Sequence, residues 1–411
     1  MAIRVFGIPW IFLCVATTLA LSFKACAVEG KYQFDGTISR KVLENYLSRA
    51  VTHVGLCGSY PSPTTDSFDD DLRMLQSIGA KFIGRAAYIR YIMGSEEKHF
   101  REVKEAAAKI HAMDPEMVLQ ACISEVVSPK VRNIPIPAWA FEAFGEVVEE
   151  RNFKYKFMLF DDGKHVDRWP EGSVPDMSKL ETRLWFYYRA RRYIDSGIEA
   201  IHFGQVALMD DADEDHTHWF DMLSRVRAYA KEHARRHLVL CDARTHGELH
   251  KGKLLFDFHS FPLRPLEVQG KPTAIKLSLQ QPLTRIYGQS KGGITPSGWQ
   301  CKSLPFLVEF DNWGYSGREG RSIGGIWVWG YDEISWFAVQ TKSYREQWLA
   351  YALAWLKEND SNGFIQIPTR RRVDAKKKDD RITMFAANNR SEASPKGYGI
   401  ENSIKMVWNQ E

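Results

Sequence analysis

Eight short runs of apolar and β-branched residues recur along the chain, at 52–58, 81–88, 117–123, 200–205, 237–242, 254–259, 305–311 and 325–330. Helical patterns separate several of them, and strands alternating with helices imply βα units and a parallel sheet. The amphipathic stretches lie at 69–78, 96–112, 179–196, 216–233 and 343–357. In the first, Leu72, Leu75 and Ile78 recur every three residues, which gives one apolar face to pack on a sheet. Eight short strands suit a closed (β/α)8 TIM barrel of the α/β class, and 411 residues is within the range of one such domain. An open doubly wound sheet is the alternative. No Gly-x-Gly-x-x-Gly follows any strand, and Gly292-Gly293 falls in a long loop, so the pattern offers no dinucleotide site and no cofactor is expected.

The ends of the chain read differently from its middle. Arg4 precedes an apolar run at 8–23 that leads to Ala25-Cys26-Ala27, a small-x-small cleavage site. This predicts a signal peptide over 1–27 and a secreted or periplasmic protein. The run is short for a bilayer span of about 20 residues, so no integral membrane span is expected after cleavage. Cleavage removes Arg4 and Lys24, and the formal net charge of +4 becomes +2. The barrel is expected over 28–368. The basic run Arg370, Arg371, Arg372, Lys376, Lys377 and Lys378 reads as a solvated linker opening a weakly ordered tail over 369–411, not as a nucleic-acid groove. Four cysteines survive cleavage, Cys57, Cys122, Cys241 and Cys301, without Cys-x-x-Cys spacing. They are expected as buried free thiols, with one disulfide as the alternative.

Two connections are long. The loop after the third strand carries a Pro-rich segment at 133–137, an alternating stretch at 153–160 and the turn Asp161-Asp162-Gly163, which together predict a hairpin-bearing lid. The loop after the sixth strand, at 260–304, predicts a second wall to the same cleft. Barrels build their sites from such loops and from the carboxyl ends of the strands. There the chain places Arg85, Glu125, Gln205, Asp242, Asp257, His259, Glu309, Asp311, Asp332 and Glu333. Carboxylates brought together at one rim acquire separated proton affinities, one suited to an acid and one to a base. Glycosidic cleavage needs such a pair. Thirteen tryptophans are many for this length, and Trp313, Trp327 and Trp329 near the last strand ends are candidates to stack on sugar rings.

Each of these residues has a purely structural reading. Asp257 and His259, two apart, suit a hydrogen-bonded pair at the rim as well as a substrate contact. Arg85 suits an acidic sugar or a buried salt bridge to a barrel carboxylate. Trp327 and Trp329 suit the core of a strand. No metal is expected: His216-Thr217-His218 follows the acidic loop at 210–215 but opens a helix, where positions two apart face different ways.

The export signal, the eight βα units and Leu307-Val308-Glu309-Phe310-Asp311-Asn312 resemble a secreted (β/α)8 glycoside hydrolase. The resemblance implies a carbohydrate substrate and a catalytic Glu at the end of the seventh strand, which is Glu309 here. Such barrels usually carry Asn-Glu at the end of the fourth strand, where this chain has Phe203-Gly204-Gln205. The partner carboxylate is therefore sought elsewhere, at Asp242, Glu125 or Asp332, the first two preferred, with Gln205, Asp257, His259, Asp311, Trp313, Trp327, Trp329, Asp332 and Arg85 as substrate contacts. A non-catalytic carbohydrate-binding barrel is the alternative, and a metal-dependent hydrolase a third reading.

Overall fold

Eight parallel strands pair in chain order, and the last pairs with the first, so the sheet closes on itself into a (β/α)8 barrel. The structure is a computed structural model that describes residues 30–58, 68–89, 95–278, 290–312, 314–377 and 380–409. The strands are β1 (Ala50–His53), β2 (Phe82–Tyr88), β3 (Val118–Cys122), β4 (Ala200–Gln205), β5 (Leu240–Arg244), β6 (Phe258–Pro262), β7 (Phe306–Glu309) and β8 (Gly363–Lys377). A ninth, β9 (Asp380–Ala386), runs antiparallel to the far half of β8. Helices include α1 (Arg40–Leu47), α2 (Phe68–Ile78), α3 (Glu96–Met113), α4 (Ala138–Phe144), α5 (Leu180–Asp195), α6 (Val206–Met209), α7 (Thr217–His233), α8 (Glu333–Val339), α9 (Lys342–Asn359) and α10 (Glu401–Asn409).

Side chains alternate across a strand, and the barrel shows this as two separate cores. Ala50, Phe82, Val118, Ala200, Leu240, Phe258 and Leu307, one from each of the first seven strands, cluster with Val42, Leu43, Tyr46 and Leu47 of α1. They fill the amino-terminal half of the barrel, and α1 plugs that end. Their neighbours Val51, Ile83, Leu119, Ile201, Cys241, Phe261, Val308 and Ile365 face outward and join the large cluster under the helices.

The eighth strand corrects the sequence reading. Residues 325–330 are not a strand: Gly325, Trp329 and Gly330 adopt positive φ, and the segment forms only the isolated bridge Val328–Tyr331. The closing strand is β8, which begins before the basic run and carries it. Arg370 and Arg371 are buried because Asp71 and Glu309 neutralise them at 3.1 and 3.2 Å. A solvated linker and a weakly ordered tail are therefore replaced by β8, β9 and α10. The helix α10 buries Ile404 and Trp408, and its Glu401 takes a two-pronged contact from Arg73 at 2.7 and 2.9 Å.

The long loops also differ from expectation. After β3 the chain forms a 3-10 turn (Pro129–Asn133), α4 and a second 3-10 turn (Tyr155–Met158); isolated bridges stand where a hairpin was expected. In the loop after β6, the indole of Trp299 donates to the Ile38 carbonyl at 3.0 Å and packs with the amino-terminal plug, away from the strand ends that were to be walled. Cys57, Cys122, Cys241 and Cys301 are free thiols. The proposed signal peptide lies outside the described residues. Among the described residues no helix is long and apolar enough to cross a membrane.

Candidate functional site

Two residues beyond the apolar layer, the same strands turn polar. Gln120, His202, Asp242, Ser260, Glu309 and Gln366 follow Val118, Ala200, Leu240, Phe258, Leu307 and Phe364 at a spacing of two, so they share the inward face. Asp242, with no exposed surface, is the hub. It accepts from Gln120 Nε2 at 2.6 Å and Ser260 Oγ at 2.5 Å, and it pairs with His202 Nδ1 at 2.7 Å. A buried carboxylate with three partners is held in place and closed to solvent.

Glu309 stands at the end of β7 and is reached by Arg85 through a bulge. Between Ile83 and Ala87, β2 has two more residues than the facing stretch of β3, and Arg85 takes φ of 55°. Bulges of this kind re-aim side chains. Arg85 grips Glu309 in a fork, Nη2 to Oε1 at 2.5 Å and Nε to Oε2 at 3.1 Å, and Arg371 adds a contact at 3.2 Å. Burial pushes the Glu309 carboxyl up, but the charges of Arg85, Arg371 and His202 overcome it and hold the group down at about 2. It is ionised at any physiological pH. Gly84 is required beside the bulge, since a Cβ there would stand 1.8 Å from Gln366 Nε2.

A second irregularity presents Gln205. One extra residue in β4 lies between His202 and Gln205, and Gly204 takes φ of 70° with its α-hydrogen side against Glu125. A Cβ on Gly204 would meet Glu125 Oε2 at 2.5 Å. Gln205 donates to Glu125 Oε1 at 2.9 Å and accepts from Arg244 Nη1 at 3.1 Å, so one amide orients both. Glu125 is half-buried and has no cationic partner within salt-bridge distance among the described residues. The carboxylates converge: burial pushes the Cys122 thiol up to about 12, Arg85 pulls it down, and Glu125, Glu309 and Asp242 all add to the rise. Groups from the third, fifth and seventh strand ends thus lie near enough to one buried sulfur to act on it.

A third group braces the rim. Arg264 (φ 44°) pairs with Asp311 at 2.6 Å and with Glu333 at 2.8 Å, while Glu333 also accepts from the backbone of Leu263, Arg264 and Asp311. Asp332, 2% exposed, caps α8 by accepting from Ser335 N at 2.6 Å. Burial pushes its carboxyl up to about 7 against those backbone hydrogen bonds.

Other expected contacts lie elsewhere. Asp257 precedes β6 and accepts from Cys241 N and Arg227, at the wrong end of the barrel for a site. His259 is fully buried, faces away from the lumen and meets Ser290 at 2.8 Å. Both misplacements have one cause: β6 begins at Phe258, four residues later than the pattern suggests, so Asp257 and His259 stand at its amino end and not at its carboxyl end. The Trp329 indole is tied to the Ala274 carbonyl at 2.9 Å and packs on the core. Trp327 is half-buried in the same turn, and Trp313 lies outside the described residues. Arg85 binds Glu309 rather than standing free for a sugar, and Asp311 and Asp332 are held by protein groups. His216 bridges Asp210 and Glu248 at 3.2 and 3.3 Å, and Asp213 caps α7. Among the described residues no group of three or more His, Cys, Asp or Glu is placed to hold a metal ion.

Sequence reading missed Gln120, His202, Arg244, Ser260, Arg264 and Arg371. A signal for three of them was present: an apolar residue followed two positions later by a polar one, repeated in strand after strand.

No protein-family model matches the sequence, and no curated protein matches it. Among solved structures, a cyclic α-maltosyl-(1→6)-maltose hydrolase from Arthrobacter globiformis aligns at 11% identity over 89% of this chain and 83% of its own, with a TM-score of 0.43. The α-L-fucosidase isoenzyme 2 from Paenibacillus thiaminolyticus aligns at 13% identity over 88% and 49%, TM-score 0.42. A Nostoc punctiforme debranching enzyme aligns at 10% identity over 53% of this chain and about half of its own length, 52%, TM-score 0.30. With every one of these scores under one-half, the barrel assignment rests on the strand pairing itself.

Proposed function

We propose that the chain is an exported glycoside hydrolase in which Glu309 is the permanently ionised carboxylate and Glu125 the proton donor. The observation that carries this reading is the contrast between the two groups: Glu309 is clamped by Arg85 and Arg371 and kept charged, whereas Glu125 meets only the neutral amide of Gln205. Glycosidic cleavage needs one group of each kind. As the bond to the leaving oxygen breaks, Glu125 would give that oxygen its proton, and Glu309 would meet the positive charge growing on the sugar carbon. Water then completes the hydrolysis, with Glu125 taking a proton back. Asp242 moves from candidate reactant to positioning residue, because every contact it makes orients the layer beneath Glu309.

Glu309→Gln and Glu125→Gln, assayed for reducing-sugar release on a panel of polysaccharides, test the reading. Each variant should lose at least about a thousandfold in kcat, the scale set by removing a positioned acid, base or nucleophile. Wild-type turnover in Glu309→Gln would sink it. One observation favours a second reading, a non-catalytic carbohydrate-binding barrel: both Glu309 oxygens are already occupied by guanidinium groups, as in a structural ion pair. On that reading the wild-type protein releases no sugar from any polymer it binds.

A further inference from the structure

Among the described residues four guanidinium groups stand at the rim about Glu309 and Glu333, and three have carboxylate partners: Arg85 and Arg371 share Glu309, and Arg264 sits between Asp311 and Glu333. Arg244 differs. Half-buried at the end of β5, it donates to the neutral Gln205 oxygen and has no carboxylate within salt-bridge distance among the described residues. Asp311 is near enough to feel its charge but makes its contact with Arg264. A partly desolvated cation without a counter-ion costs free energy that an anionic ligand group recovers.

The rim beyond Glu309 shows the same excess. Residues 370–381, which make the β8–β9 hairpin, hold seven basic residues against three acidic ones. Past Arg371, β8 continues above the barrel with Arg372 and Lys376 exposed. The loop at 314–321 packs against it, with Glu319 accepting from Lys376 N at 3.2 Å, and presents Arg318 and Arg321 to solvent. Two described acids in this area are engaged: Asp374 pairs with Arg381 at 2.7 Å, and Glu319 meets the backbone of Lys376.

We infer that the carboxyl-terminal face of the barrel takes a negatively charged glycan, with Arg244 pairing to an anionic group on the sugar beside Glu309 and the basic face of the β8–β9 hairpin holding the chain beyond it. The inference rests on the glycosidase reading and adds the substrate class. A guanidinium fork matches carboxylate and sulfate alike, so the shared chemistry is a planar or tetrahedral oxyanion carried on a sugar.

Affinity electrophoresis of the intact wild-type chain tests it, in gels holding a polyuronate, a sulfated galactan or a neutral xyloglucan, at low and at high salt. Retardation by either acidic polymer, at least about tenfold stronger than by xyloglucan and weakened by salt, is expected. Which acidic polymer acts distinguishes carboxylate from sulfate. The surface double variant Arg372→Ser/Lys376→Ser should fold with an unchanged melting temperature and lose most of that retardation. Arg244→Met should raise KM for a charged oligosaccharide relative to a neutral one by about ten- to a hundredfold, the scale of one charge-assisted hydrogen bond. Equal retardation by xyloglucan, or tighter binding to single-stranded DNA than to any glycan, overturns the inference. Reducing-sugar release from the neutral polymer alone would overturn it while leaving the glycosidase reading intact; no release from any polymer would defeat that reading instead.

Discussion

The two halves of the barrel interior are built from the same strands, two residues apart, and they do opposite things. The amino-terminal half is apolar, with Phe82 against Phe258 edge to face at 5.6 Å, and is closed by α1. The carboxyl-terminal half is a hydrogen-bonded layer centred on Asp242, with Glu309 and its two arginines above it. The lower half depends on non-directional burial and tolerates regular strands. The upper half needs directed groups, and there the strands are irregular: β2 and β4 both bulge, and Arg85 and Arg264 adopt left-handed backbone. Irregularity is concentrated where side chains must be aimed.

Four measurements would break or sharpen this division. Phe258→Ala, in the lower half, should destabilise the fold by about 3–5 kcal/mol in denaturant unfolding while leaving the turnover of the folded fraction unchanged. A matching loss of specific activity would show that the halves are not independent. Asp242→Ala should cost about 3 kcal/mol, since it strands Gln120, His202 and Ser260, and should also lower activity, because the layer under Glu309 loses its hub. Loss of stability without loss of activity would make that layer structural only.

Gly204→Ala places a methyl carbon 2.5 Å from Glu125 Oε2 and 2.6 Å from its backbone N, and a displaced acid should lower kcat/KM by about a hundredfold. Unchanged kinetics would remove Glu125 from the chemistry. The smallest effect is electrostatic. Glu309 is held at about 2, below its ordinary value near 4.5, so its stabilising contribution is full above about pH 4.5 and disappears as pH falls towards 2. The difference in melting temperature between wild type and Glu309→Gln should follow that window, and a difference independent of pH would contradict the ion-pair assignment.

The comparison also explains what could be read from sequence. Lower-half residues such as Leu240 and Leu307 announce their strands by hydrophobic pattern, and α2, α3, α5, α7 and α9 fall within a few residues of their expected bounds. Glu309 was legible because it ends an apolar strand. Arg371 was not, since its burial depends on a partner 62 residues away, and a basic run read alone looks solvated. The turn at 325–330 failed the opposite way: Ile326, Trp327, Val328 and Trp329 imitate a strand, and only the left-handed glycines beside them break it. Arg85 was visible as a residue, and the two-residue bulge that turns it inward has one local mark, Gly84 inside the strand pattern.

Because β8 both closes the barrel against β1 and delivers Arg371 to Glu309, one strand completes the ring and the ion-paired centre together. Until that segment docks, Glu309 has only Arg85 for company and the ring of strands is open. A chain stopped before β8 would therefore lack both the closing strand and the second arginine of Glu309.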